Sequence, residues 1–250
     1  MIVPRDRLGG DTVAAARSLL GARLVRGTGP EVRAGRIVEV EAYIGQDDRA
    51  SHARFGRTSR NAVMFGPPGV AYVYLVYGMH HCLNVVTESE GRPAALLVRA
   101  VEPLAGVRQM REARLRWALA RTERGGEAAA ERVGRRVASP AGARRSDAAA
   151  AERAQRRIEA IPASRLAAGP GLVCAAFSID RSSDGIDLCD PGSDLRLEIA
   201  DDGPLPVATA PRVGIGYAPE PWRSRPWRFF LPGNPSLSVP SKSDAAQDGK

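Results

Sequence analysis

The chain has 250 residues, 44% of them hydrophobic, with three cysteines and a formal net charge of +8. That length can bury one good core, no internal repeat is visible, and no apolar run approaches the roughly 18 residues of a membrane span; a repeat array and a membrane-embedded protein are excluded. Cys82, Cys174 and Cys189 are odd in number and lack metal-ligand spacing, which argues against a disulfide framework, and MIVPRDRLGG lacks a signal-peptide core, so a cytoplasmic location is expected.

Residues 11–21 predict a short helix with Asp11 as N-cap and Gly21 just past its end. Strands follow at 23–26 and 32–43, joined by Gly27-Thr28-Gly29-Pro30. In the second strand a period of two puts Val38, Val40 and Ala42 on one side and Glu39, Glu41 and Tyr43 on the other. A carboxylate beside apolar and aromatic surface suits general-base chemistry, yet the wet face of a half-buried antiparallel strand shows the same alternation. Both readings are open from the strand itself.

Residues 71–76 are β-branched and aromatic, Tyr77-Gly78-Met79-His80-His81 interrupts them, and 82–86 resume the pattern, which predicts a hairpin. Tyr72, Tyr74 and Val76 share one face; Val73, Leu75 and Tyr77 share the other. Loop tips are normally small and polar, so Tyr77 either inserts into a partner or folds back on its own strand. His80 and His81 point to opposite faces with no third ligand, so no metal is expected there; a phosphate contact and a solvated loop histidine are the alternatives. A third strand, 94–101, is apolar except for Arg99, whose guanidinium needs either an edge or an acidic partner, Glu41 being one.

Residues 106–120 read as a helix that passes into the Ala/Arg/Glu-rich stretch 121–163. Between positions 111 and 165 stand 14 arginines and 7 acidic residues, leaving 22 basic and 21 acidic residues elsewhere, so nearly all the excess charge lies in one segment. It reads either as an electrostatic tether on DNA or as a solvated low-complexity loop, disordered or loosely helical. Gly169-Pro170-Gly171 introduces a short helix at 172–177 whose free N–H groups suit a phosphate, although capping and packing explain it equally. Residues 241–250 read as a disordered tail.

The segments EVEAYIG, DDRASHARFGRTSRNAVMFGPPG, YVYLVYGMHHCLNVV, LLVRAVEPL, GPGLVCAAFSI, RVGIGYA and PWRFF together resemble the alkyladenine DNA glycosylase family, bacterial 3-methyladenine DNA glycosylases included. The likeness runs from about Leu8 to Val239, apart from an insertion after Met110. It implies an α+β fold: a single domain over 1–240, built on a curved, mainly antiparallel sheet with a protruding β-hairpin, like the C-terminal domain of formyltransferases, and carrying the Arg-rich insertion at about 121–163. It implies a monomeric base-excision repair enzyme, without cofactor or metal, whose partner is double-stranded DNA containing damaged purines. Such an enzyme flips alkylated or deaminated purines (3-methyladenine, 7-methylguanine, hypoxanthine, ethenoadenine) out of the duplex, hydrolyses the N-glycosidic bond and leaves an abasic site.

By the same resemblance Glu41 is the general base, and Arg99 with the main chain at His52 helps place the attacking water. Tyr43, His52 and Tyr74 match the walls between which the flipped base stacks, Asn84 crowds out the guanine amino group, and Tyr77 is the DNA-intercalating wedge. Two positions depart from the family pattern: Leu172 stands where relatives commonly carry lysine, and His80 where they often carry an aromatic.

Physical reasons run alongside. A base inside duplex DNA is out of reach of a carboxylate, so extrusion, at a cost of a few kcal/mol, must come first, and an inserted ring replaces part of the lost stacking. A cationic alkylated purine between tyrosines gains roughly 0.5 to 2 kcal/mol over a neutral one. A carboxylate beside C1′ stabilises the oxocarbenium-like sugar and takes a proton from water. Glu39, about 6 to 7 Å from Glu41 by strand geometry, reads as a structural carboxylate able to raise the pKa of one of the pair. The only lysines, Lys242 and Lys250, lie in the tail, so a Schiff-base strand cut lacks an internal amine and a monofunctional enzyme is expected. A non-catalytic damaged-DNA or RNA-binding module of the same fold would not need Glu41 facing Arg99, and an enzyme cleaving free nucleosides would have no use for Tyr77.

Overall fold

The computed structural model describes residues 1–133, 140–200 and 203–239, of which 122–133 and 140–148 are described by their backbone alone. Its strands are β1 (Arg23–Arg26), β2 (Arg33–Ile44), β3 (Ala71–Val76), β4 (His80–Val86), β5 (Ala94–Ala105), β6 (Leu195–Glu198), β7 (Ala208–Ala210) and β8 (Arg228–Phe230). They form one curled antiparallel sheet in the order β3-β4-β5-β2-β1-β6, with β8 pairing both β2 and β7. The helices are α1 (Asp6–Gly9), α2 (Thr12–Leu19), α3 (Val107–Val133), α4 (Pro140–Glu159) and α5 (Pro170–Phe177). The result is a single mixed α and β domain.

The alternation in β2 sorts as its period demands. Val38, Val40 and Ala42 are fully buried in the main core with Leu96 and Val98 of β5, Phe177 of α5 and Leu19 of α2. Asp11 caps α2 by accepting from Ala14 N at 2.8 Å, and Gly21 takes a φ of +88° just beyond the helix. The strand expected at 94–101 extends to Ala105, and the strand expected to resume at 82 begins at His80.

Two features of the sheet aim the polar face. The β2 and β5 register shifts on either side of Glu39: Ile37 lies opposite Val101, Glu39 opposite Ala100 and Val40 opposite Val98, so the pairing skips Val38 and Arg99. Bulges sharpen the local twist and re-aim side chains. The other edge of β2 changes partner at the same point, pairing β1 over 33–36 and β8 over 39–41. Glu39 and Glu41 therefore have strands on both sides.

In the arginine-rich region the described backbone of 121–133 continues α3 and that of 140–159 is α4, while 134–139 and the tail 240–250 lie outside the described residues. Some of its arginines are internal ties. Arg111 Nη1 donates to the Ile158 carbonyl at 2.6 Å, joining α3 to the end of α4, and buried Arg114 donates to the Leu166 carbonyl.

Candidate active site

The polar face of β2 is not wet: Glu39 and Glu41 are both 0% exposed. Arg99 is not at an edge either, since β5 lies between β4 and β2, and it reaches both carboxylates, with Nε 3.0 Å from Glu39 Oε1 and Nη1 3.3 Å from Glu41 Oε2. The acidic partner expected for Arg99 is thus a pair. Glu39 also accepts from Arg228 Nε (2.7 Å), Ser238 Oγ (2.8 Å) and Ser238 N (2.7 Å). With Arg99 that makes four donors, three of them on Oε1 and one on Oε2.

Glu41 has different company. Oε1 accepts from the Val213 amide at 2.6 Å, and Oε2 accepts from the Tyr43 hydroxyl at 3.0 Å and pairs with Arg99. Burial raises its pKa above the ordinary 4.5 and the nearby Glu39 charge adds to this, outweighing the pull of Arg99, the Val213 N–H and the Tyr43 hydroxyl in the other direction. Fewer donors and a raised pKa describe a carboxylate with capacity to accept another hydrogen bond and a proton. The backbone group that meets it is the Val213 amide, and the His52 carbonyl accepts from Asn61 Nδ2 at 3.1 Å.

Above this floor opens a cleft lined by Tyr43, Ala50, His52, Met64, Tyr72, Tyr74, Asn84 and Tyr217. Four of the residues singled out in the sequence, Tyr43, His52, Tyr74 and Asn84, therefore come together in it. Glu41 lies one layer deeper and is joined to the cleft through the Tyr43 hydroxyl. His52 and Tyr74 meet edge to face with centroids 4.4 Å apart, and Tyr72 adds a ring 5.3 Å from Tyr74, so these three build one aromatic cluster. Edge-to-face packing at such distances fixes ring orientation.

Polar contacts lock the same groups. His52 Nδ1 lies 3.0 Å from the Tyr72 hydroxyl, and Asn84 Nδ2 donates to the Tyr72 carbonyl at 3.1 Å, which leaves Oδ1 and the second N–H of Asn84 for the cleft. His52 is exposed as a residue, yet burial of its ring, helped by the Arg60 and Arg54 charges, pushes its pKa down to about 4. The imidazole is then neutral near pH 7 and does not repel a cation. Burial raises Tyr72 to about 12 and Tyr43 and Tyr74 well above 10, so all three phenols keep their protons.

Tyr77 stands apart, 87% exposed at the hairpin tip, which removes the alternative that it folds back on its strand. The Met79 amide donates to the Val76 carbonyl at 3.0 Å, and Tyr77 and Gly78 take φ values of +51° and +67°. This is the sign pattern of a type I′ turn, in which both central residues are left-handed and Asn-Gly is the usual occupant. A bulky ring in that conformation is strained. Behind it, His80 is half-buried rather than solvated: its ring lies 5.4 Å from that of Trp117 of α3, and the Arg121 guanidinium lies 4.6 Å from the centre of the same Trp117 ring.

Several residues of the site escaped the sequence reading. Val213, Arg228 and Ser238 come from irregular or very short C-terminal segments, Met64 and Tyr217 line the cleft, and a fully buried ion pair, Arg212–Asp48, lies behind Tyr43. For Asp48, Met64, Arg212, Val213, Tyr217 and Arg228 the one visible signal was membership of the strings DDRASHARFGRTSRNAVMFGPPG, RVGIGYA and PWRFF, which carry no strand or helix period, and Ser238 lies in none of them.

A family model described as methylpurine-DNA glycosylase matches residues 6–133 and 136–235. A protein of Methanocella arvoryzae, described provisionally as a 3-methyladenine DNA glycosylase, is 39% identical over 97% of this chain and 98% of its own. Proteins of Anaeromyxobacter dehalogenans and Koribacter versatilis with the same description are 41% and 35% identical, covering 98% and 94% of this chain and 90% and 92% of theirs. With a buried carboxylate beneath an aromatic cleft and a match of this extent, the chain belongs to the methylpurine-DNA glycosylase family.

Proposed function

We propose that this protein flips alkylated or deaminated purines out of duplex DNA into the cleft and hydrolyses their N-glycosidic bond, leaving an abasic site. The observation that carries the reading is the contrast within one strand: Glu39 tied by two guanidiniums and Ser238, and Glu41, two residues on, buried at the foot of the cleft with a raised pKa and one guanidinium. Glu41 takes the proton of the attacking water and stabilises the positive sugar, and Arg99 keeps it ionised. Tyr43, with His52 and Tyr74, stacks on the base, Asn84 crowds a 2-amino group, and Tyr77 fills the gap in the helix. A neutral His52 leaves the cleft able to accept a cationic alkylpurine.

The rest of the reading follows the same chemistry. No lysine lies outside the tail, which supports simple hydrolysis without strand cleavage. The arginines of 111–165 that are not spent on internal carbonyls are read as contacts to the DNA backbone; deletion of 121–163 would then reduce the salt slope of binding.

The test is single-turnover release of base from duplexes carrying one hypoxanthine or one 3-methyladenine, with gel-shift binding in parallel. The expected result is release by the wild type and its loss in Glu41→Gln with binding retained. Binding without release on any lesion would favour the non-catalytic damage-binding module.

A further inference from the structure

Arg212 and Asp48 form an ion pair whose side chains are both 0% exposed. Arg212 Nη1 reaches Asp48 Oδ2 at 2.6 Å and Nη2 reaches Oδ1 at 2.9 Å, a two-pronged contact that lysine cannot make. The same guanidinium donates to the Ala42 carbonyl at 2.9 Å and lies 4.6 Å from the centre of the Tyr43 ring and 5.1 Å from that of Trp227. One residue later, the Val213 amide holds Glu41 Oε1. Asp48 in turn accepts from the amides of Ile44 and Ala50, and Ala50 lines the cleft.

These contacts converge on Glu41 and Tyr43. A single planar cation fixes the carbonyl between them in β2, the face of the Tyr43 ring and, through the adjoining peptide, the donor to the Glu41 carboxylate. A buried ion pair is a weak source of net stability, because desolvation offsets most of the attraction. The Nε atom of Arg212 is moreover buried without a hydrogen-bond partner, which is a poor arrangement for stability alone. What the pair does supply is geometry, at the point where the C-terminal segment meets the strand bearing the carboxylate.

We propose that Arg212, clamped by Asp48, is a positioning residue that sets the Glu41 carboxylate and the Tyr43 ring for base excision. The proposal rests on the reading of Glu41 as the general base. It acts without touching the substrate: loosening the clamp lets the Val213 amide withdraw from Glu41 and frees Tyr43 to rotate.

The test compares wild type, Glu41→Gln, Arg212→Lys and the charge-free double variant Arg212→Met with Asp48→Leu, using a duplex with one hypoxanthine. Single-turnover rate, its pH profile, gel-shift affinity and thermal midpoint are measured for each. Both Arg212 variants are expected to remain folded and to bind DNA within about twofold of wild type, but to release base about 10- to 100-fold more slowly, the scale of a misplaced catalytic group. Their pH profiles should also move to higher pH, because the Val213 N–H that favours ionised Glu41 is lost. A merely structural pair would change the folded fraction or the thermal midpoint while leaving rate per folded molecule and pH midpoint alone, and that result would overturn the proposal. So would failure of both variants to fold. If wild type releases no base, or Glu41→Gln still does, the reading of Glu41 itself fails; wild-type rates in the Arg212 variants beside an inactive Glu41→Gln would sink the clamp only.

Discussion

The floor of the cleft and the tip of the β3–β4 hairpin are built by opposite rules. At the floor, Glu39, Glu41, Arg99 and Arg228 place two negative and two positive charges out of water, with every position set by several neighbours. At the tip, Tyr77 is 87% exposed and left-handed, held by little beyond its own turn. Buried charge is tolerable only when paired and hydrogen-bonded, so the floor couples function to stability. The tip holds strain that its own fold does not repay, so the role proposed for it is separable from stability.

The largest effect should fall on the floor. Glu41→Gln is expected to slow base release by about 10² to 10⁴-fold, the contribution of a general base, with affinity for lesion DNA within a few-fold of wild type. Release in single-turnover experiments checks it. Glu39→Gln should fail differently: with two guanidiniums left short of charge in a dry site, it should lose about 3 to 5 kcal/mol of unfolding free energy in urea titration. Equal behaviour of the two variants would erase the distinction between the carboxylates.

How far this division was legible depends on which residues carry it. The faces of β2 and β3 follow from a period of two, and an arginine in an apolar strand needs either an edge or an acidic partner, so the pattern offered Glu41, Tyr43, Tyr74 and Arg99 as candidates, and the family resemblance gave them their roles. Glu39 reads as a structural carboxylate there too, but the groups that tie it could not be named, because Arg228 and Ser238 lie 189 and 199 residues away in segments without periodicity, a pairing set by tertiary closure. Bulges at Val38 and Arg99, which turn the guanidinium toward both carboxylates, likewise leave no mark in the strand pattern. His80 is a similar case: only packing reveals that Trp117, 37 positions on, stacks behind it.

A smaller effect separates floor from tip by pH. Glu41 must be ionised to accept a proton, and its pKa is raised above 4.5 by burial, so the rate should climb with pH through a midpoint above 4.5. Tyr43→Phe removes a donor that favours the carboxylate and should move that midpoint higher. Variants at Tyr77, which is not among the groups acting on Glu41, should leave it in place. A shift caused by Tyr77→Ala would mean that the tip and floor are coupled, contrary to the contrast drawn above.

The smallest effect is the most discriminating for the tip. With φ at +51°, Tyr77 occupies a conformation that costs a side-chain-bearing residue about 1 kcal/mol and glycine almost nothing. Both Tyr77→Ala and Tyr77→Gly delete the ring, but only glycine relieves the backbone. The glycine variant should therefore be the more stable of the two by about 1 kcal/mol, reduced somewhat by the greater freedom of its unfolded chain. Loss of a stacked ring should weaken lesion binding by about 1 to 3 kcal/mol in either variant. If strain at Tyr77 serves only to present the ring, alanine and glycine will lose equal affinity while differing in thermal midpoint. If the left-handed backbone itself is needed to shape the tip, glycine, which holds that shape at no cost, will bind better than alanine, and the hairpin will have to be credited with a preorganised backbone as well as an exposed ring.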